Sequence, residues 1–251
     1  MKRILVSNDD GIYAPGLAAL VAVLEPLAEV TVVAPLAEQS ASSHALTLHH
    51  PLRIREMGPR RFAVEGTPTD CVLLASNILL DGEPDLVVSG INQGPNMGED
   101  VIYSGTVAAA MEGSILGYPS LAMSLASYTF REFAGAASVT AALVERLLGA
   151  SLPQRFLLNV NVPPVPREEI RGLRVTRLGT RVYKDIIVKN TDPRGRDYYW
   201  IGGGKPDWAH SPDSDYATVG EGYASLTPLL MDLTDGTRMD FLRDLDLRWA
   251  P

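Results

Sequence analysis

The chain has 251 residues, 46% of them hydrophobic and 21% charged, with a formal net charge of −8 at pH 7. That balance suits a globular protein with a sizeable core, and no stretch reaches the roughly 18 consecutive apolar residues of a membrane helix. The acidic surplus argues against a polynucleotide partner, which needs a basic face to displace counterions from phosphates.

The chain opens on Lys2-Arg3-Ile4-Leu5-Val6-Ser7-Asn8-Asp9-Asp10-Gly11, an apolar run that reads as a buried parallel strand ending at two aspartates. It starts directly in that strand, without a long apolar leader, and a cytoplasmic location is expected. Leu17, Leu20, Val21 and Leu24 form a helical stripe, with Pro15 suited to its first turn. Val30-Thr31-Val32-Val33-Ala34 is β-branched and ends at Pro35, giving a second strand. Thr69 is expected to cap a helix running through Cys71 to Leu80. Cys71 is the one cysteine, which excludes a disulfide framework or a cysteine-based zinc site, and its apolar neighbours suggest a small buried hydrophobe. Further elements are a strand over 85–90, a helix from Gly105 to Leu116, a strand over 121–124 and a helix from Ala136 to Leu148. This alternation predicts an α/β fold, Rossmann-like, with a mostly parallel sheet and helices on both faces.

The character changes after about residue 155. A strand over 156–162 leads into Pro163-Pro164-Val165-Pro166, then Leu173 to Leu178, the turn Asp192-Pro193-Arg194-Gly195, and Tyr198-Tyr199-Trp200-Ile201. The last segments read as a long hairpin arm whose aromatic residues need another surface, such as a second subunit. Gly202 to Asp215 reads as a loop. We expect one domain over 1–251, with a catalytic α/β core over about 1–165 and a C-terminal hairpin and oligomerisation segment over about 166–251.

Three strand ends bring polar groups to one edge of such a sheet, where ligands bind in open α/β folds. They are Asn8, Asp9 and Asp10; Ser40, reached through Ala34-Pro35; and Asn92 with Asn96. Adjacent carboxylates repel each other and resist desolvation unless a positive charge lies between them, although two solvated loop aspartates would look the same in sequence. Together with a serine hydroxyl and an asparagine carbonyl they form an all-oxygen set suited to Mg²⁺ or Mn²⁺. Ser104-Gly105-Thr106, directly before the alanine-rich stretch Val107 to Met111, presents hydroxyls and free N–H groups for a phosphate, or a plain helix cap.

No histidine spacing suggests zinc: His44 lies near Ser40, His49 and His50 directly precede Pro51, and His210 sits in the loop. Trp200, Trp208 and Trp249 fit packing or an oligomer contact better than a base-stacking platform. The strand before Asn92 lacks the acceptor aspartate of a receiver domain. Asp9-Asp10 is not the Asp-x-Asp of haloacid-dehalogenase-type phosphatases, and no Gly-x-Gly-x-x-Gly follows the first strand.

Ser7-Asn8-Asp9-Asp10-Gly11, Gly66-Thr67-Pro68-Thr69-Asp70-Cys71, Ser89 to Asn96 and Tyr103 to Gly113 resemble the signatures of the SurE family of survival-protein nucleotidases. The similarity continues through Arg177 to Arg181, Asp192 to Gly195 and Glu221-Gly222-Tyr223. It implies a 5'/3'-nucleotidase that hydrolyses nucleoside monophosphates, with short polyphosphate as a candidate further substrate and one divalent metal ion per subunit. It implies Asp9, Asp10, Ser40 and Asn92 as metal ligands, with Ser42 or Ser43 as alternatives to Ser40 if the loop register differs. Asn96, Ser104, Gly105 and Thr106 would border the phosphate. Asp9 or Asp10 would act on the water, and Asn8 and Asn96 would position groups. The same resemblance implies a homodimer or homotetramer with exchanged C-terminal elements. A nucleotide-sensing module without turnover would use the same residues.

Overall fold

Alternating apolar strands and one-sided helices build the molecule, seen here in a computed structural model that describes residues 1–182, 187–201, 207–245 and 247. The elements of the first half are β1 (Arg3–Ser7), α1 (Pro15–Leu24), β2 (Glu29–Pro35), β3 (Ile54–Gly58), β4 (Arg61–Val64), α2 (Pro68–Leu74) and β5 (Leu86–Gln93). Then come α3 (Gly105–Ile115), β6 (Ser120–Leu125), α4 (Ala134–Leu148), β7 (Leu157–Val162) and β8 (Leu173–Val175). The rest of the chain supplies β9 (Arg181–Val182), β10 (Ile187–Thr191), β11 (Asp197–Ile201), β12 (Asp207–Trp208), α5 (Asp215–Gly220), β13 (Ala224–Pro228) and α6 (Gly236–Asp244).

The main sheet has nine strands in the order β3-β4-β2-β1-β5-β6-β7-β13-β8. From β4 to β7 every pairing is parallel, as the alternation predicts, while β3 and β13 run antiparallel to their neighbours β4 and β7. Side chains of a strand point alternately to its two faces. Accordingly Ile4 and Val6 join the apolar layer under α1 and α4, while Leu5 joins the layer under α2. Leu17, Leu20, Val21 and Leu24 of α1 are all buried, each burial contributing about 1.5–3 kcal/mol. The chain reverses direction across the sheet between β1 and its neighbours β2 and β5, which opens a crevice at their carboxyl ends.

Three expectations change in detail, and one hairpin is added to them. The cap of α2 is Thr67, not Thr69: the Asp70 amide donates to the Thr67 hydroxyl at 3.1 Å and the Thr67 amide to the Asp70 carboxylate at 2.8 Å. Pro68 at the first helical position is compatible with this reciprocal cap, so the helix begins two residues earlier. The β3–β4 hairpin gives no alternating signal, because β3 is a short, mostly exposed edge strand. In Leu173 to Leu178 only the first three residues form a strand, and it lies beside β13 in the main sheet. The Gly202–Asp215 stretch contains β12, paired with β9, and its last residue opens α5.

The hairpin arm is present as β10–β11, closed by the Asp192 carboxylate accepting from the Arg194 and Arg196 amides at 2.8 and 2.9 Å. Every residue of both strands is exposed. Trp208 packs as expected, stacked on Tyr216 with ring centroids 4.6 Å apart, while Trp249 lies outside the described residues.

Candidate active site

The crevice is built where β1 runs out. The Asn8 amide donates to the Gly11 carbonyl at 3.0 Å, and this turn projects Asp9 and Asp10 beyond the strand end. Asp9 is buried against the first turn of α3, where the Thr106 hydroxyl donates to its carboxylate. Gly105 makes that approach possible: a Cβ there would lie 2.7 Å from the Asp9 Cβ and 2.9 Å from the Ser42 hydroxyl.

Burial pushes the Asp9 carboxyl up to about 6, against the Thr106 hydrogen bond and with help from the neighbouring Asp10 charge. Asp10 is also raised, first by burial; the Gln93 amide, 3.2 Å away, opposes this and Glu38 adds to it. Two adjacent acids that resist ionisation for the same reason form a site short of positive charge.

The β2 end leads to the serine loop. Its path is held by the Gln39 amide donating to the Asp9 carbonyl at 2.8 Å and the Ser43 amide to the Tyr103 carbonyl at 3.1 Å. The Ser40 hydroxyl donates to Glu38 at 2.6 Å, whereas the Ser42 hydroxyl is buried beside Gly105 with no hydrogen-bond partner. His44 bonds Glu112 of α3 at 2.8 Å, which ties the loop to that helix; His49, His50 and His210 are exposed.

The β5 end carries Asn92, whose amide nitrogen donates to the Gly94 carbonyl at 3.0 Å and leaves its carbonyl oxygen as the available acceptor. Asn96 is fixed from below. Its backbone amide donates to Asn161 at 2.8 Å, its side-chain amide donates to Ser124 at 2.8 Å, and its carbonyl accepts from Asn159 and Asn161. Ser104 caps α3 by accepting from the Val107 amide at 3.1 Å. Its hydroxyl hydrogen stays available as a donor, beside the unpaired first-turn N–H groups of the helix.

These groups meet in one cleft of about 670 Å³. Asp9, Asp10, Ser40, Asn92, Asn96 and Ser104 line it directly. Asn8 and Thr106 are buried behind that lining, Asn8 holding the turn and Thr106 holding Asp9. Sequence reasoning missed Asn159 and Asn161, whose polar side chains interrupt an apolar strand at alternate positions, a signal of a buried network. It also missed Gln93 at the end of β5, and Tyr128 and Arg131 in the loop after β6, where no local pattern carries a signal.

The donor set fits a hard divalent cation: carboxylates raised by burial, a free amide oxygen and serine hydroxyls. Among the described residues no three His, Cys, Asp or Glu side chains cluster as metal ligands, so neutral oxygens would complete the set. Cys71 is buried, and its thiol is pushed up chiefly by burial, which removes it as a nucleophile.

The profile of the family described as Survival protein SurE matches residues 4–185. A protein of Gemmatimonas aurantiaca named 5'-nucleotidase SurE is 57% identical over 236 residues, covering 92% of this chain and 94% of its own. The 5'-nucleotidase SurE of Alkalilimnicola ehrlichii is 51% identical over 240 residues, covering 96% and 93%. The crystal structure of the SurE protein from Aquifex aeolicus superposes with a TM-score of 0.87 at 41% identity, covering 98% of this chain and 100% of that one.

Proposed function

The chain belongs to the SurE family, and on that premise we propose that it is a metal-dependent phosphohydrolase that removes phosphate from nucleoside 5'- and 3'-monophosphates. The observation that carries this reading is the meeting of two raised carboxylates with the N-terminus of α3 at one end of a single cleft. The relatives' name, 5'-nucleotidase SurE, supports the substrate class.

Asp9, Asp10, Asn92 and a serine of the 40–43 loop would hold one divalent ion per subunit, Mg²⁺ or Mn²⁺. When bound, it supplies Lewis acidity and charge neutralisation at a phosphate oxygen. The Ser104 hydroxyl and the first-turn N–H groups of α3 donate to the remaining phosphate oxygens, where negative charge is concentrated during transfer. Thr106 acts through Asp9: its hydroxyl holds one carboxylate oxygen and leaves the other for the ion or the attacking water. Gln93 restrains Asp10 in the same way through its backbone amide. Asn159 and Asn161 hold the turn that carries Asn96. Short polyphosphate presents the same phosphoryl chemistry and is a further candidate substrate.

In this reading residues 1–165 supply the catalysis and residues 166–251 the contacts of a homodimer or homotetramer, working in the cytoplasm. The exposed apolar faces of β10, β11 and α6 support the assembly.

The test is phosphate release from a panel of nucleoside 5'- and 3'-monophosphates, first in EDTA and then with added Mg²⁺ or Mn²⁺. Release restored by metal is the expected result. Binding of nucleotide with no release under any metal would replace the enzyme with a sensor.

A further inference from the structure

Beyond its acids the cleft changes chemistry: the lining continues through Tyr103, Tyr128, Arg131 and Phe133. Tyr128 sits at the tip of a turn after β6 that is held with unusual economy. The Ser127 hydroxyl accepts from the Thr129 and Phe130 amides at 3.1 and 3.0 Å, which closes the turn. Gln93, the residue after Asn92, donates its side-chain amide to the Ser127 carbonyl and, at 2.9 Å, to the Phe130 carbonyl. The Gly94 amide donates to the Leu125 carbonyl at 3.0 Å.

The tyrosine ring itself lies on Gly94, where a Cβ would come within 2.5 Å of its Cε1 and where φ is +134°. One five-residue stretch, 92–96, thus positions both the polar floor and the aromatic wall. Tyr128 is nonetheless 70% exposed. Crowding by neighbouring atoms raises its phenol and the Asp100 charge adds to this, while Arg181 opposes it.

An exposed aromatic ring that rests on Gly94 and is carried by a braced turn is a ready stacking surface. Base–aromatic stacking contributes about 1–3 kcal/mol per base and accepts every base, because each has a π-face. With the phosphate at Ser104 and α3, a nucleoside has the remainder of the cleft to occupy.

We propose that Tyr128, presented by the Gln93-anchored turn, stacks on the base of the substrate and makes this site select nucleoside monophosphates over small phosphate monoesters. The proposal rests on the phosphohydrolase reading above and adds to it a specificity-determining residue. Gln93 is then a positioning residue, acting on the base only through the turn.

The experiment compares kcat/KM for adenosine 5'-monophosphate with that for glycerol 2-phosphate, in the metal-supplied protein and its Tyr128→Ala, Tyr128→Leu and Tyr128→Phe variants. The ratio should fall about tenfold in Tyr128→Ala and Tyr128→Leu, mostly through KM for the nucleotide, and stay within about twofold of wild type in Tyr128→Phe. A wild type active on both compounds, with a ratio that Tyr128→Ala and Tyr128→Leu leave in place, overturns this proposal alone. A wild type that releases phosphate from neither compound overturns the hydrolase reading and this proposal with it.

Discussion

The cleft floor and the C-terminal arm depart from ordinary burial in opposite directions. At the floor, polar and charged groups are inside: Asn8, Asp9, Asn96, Ser104 and Thr106 are all buried, as are Asn159 and Asn161 beneath them. In the arm, apolar groups are outside: Trp200 is 65% and Ile201 85% exposed, and α6 buries no residue although it carries Phe241 and Leu242. Each region is incomplete by itself. Buried carboxylates with raised pKa are stabilised by a partner of opposite charge, and an exposed apolar ribbon by a surface that covers it. One region buries polar groups at the expense of stability, and the other leaves apolar groups uncovered.

The largest effect that would sharpen this contrast is at Asp10. Asp10→Asn should lower metal-supported kcat on the order of 10³-fold, about 4 kcal/mol of transition-state stabilisation. Its melting temperature in EDTA should hold or rise, because a desolvated charge has been removed. Turnover close to wild type would break the assignment.

Next is the pH dependence of the metal-free protein. Asp9 titrates near 4 when unfolded and at about 6 when folded, so the folded state binds its proton more tightly. This contribution is therefore most favourable at low pH. It is lost as pH rises from about 4 to about 6, a span worth about 3 kcal/mol. Urea midpoints in EDTA should fall across that window, and Asp9→Asn should flatten the slope. Added Mn²⁺, competing with the proton, should recover stability at the upper end.

Gly105→Ala comes third. Its Cβ would press on Asp9 and the Ser42 hydroxyl, at an overpacking cost of about 1–3 kcal/mol. Thermal denaturation should show that loss, and phosphate release should drop with it as Asp9 is displaced.

The arm gives the smallest effect on turnover. Paired Trp200→Ser and Ile201→Ser changes should shift the mass measured by light scattering towards the monomer. A mass unchanged from wild type would remove β11 from the proposed interface.

Much of the candidate site's edge was legible in the sequence because its signals are local. Ile4 to Val6 announces a buried strand, and whatever follows that strand must emerge at the sheet edge, so Asp9 and Asp10 could be placed before any coordinates existed. Ser104 precedes a small-residue helix and serves as its cap, as expected. The misplaced cap at Thr69 shows the limit of local reading: two threonines flank Pro68, and the reciprocal bonds of Asp70 decide between them. Ser40 shows another limit. Three serines share the loop; Ser40 lines the cleft with its hydroxyl on Glu38, whereas the Ser42 hydroxyl is buried beside Gly105 at the α3 N-terminus.

The alternating elements, the adjacent acids at the end of β1 and the aromatic arm are all written in the amino-acid order. Each follows from residues within a few positions of one another, through side-chain periodicity, capping and charge repulsion. Which groups serve those acids depends instead on long-range contacts. Thr106 reaches Asp9 across 97 positions of chain, and Asn161 reaches Asn96 across 65. Gln93 grips a turn 34 and 37 residues away, and Tyr128 is carried to the cleft by that grip. Such contacts depend on strand order, because the sheet places β1, β5, β6 and β7 side by side with their carboxyl ends at one edge.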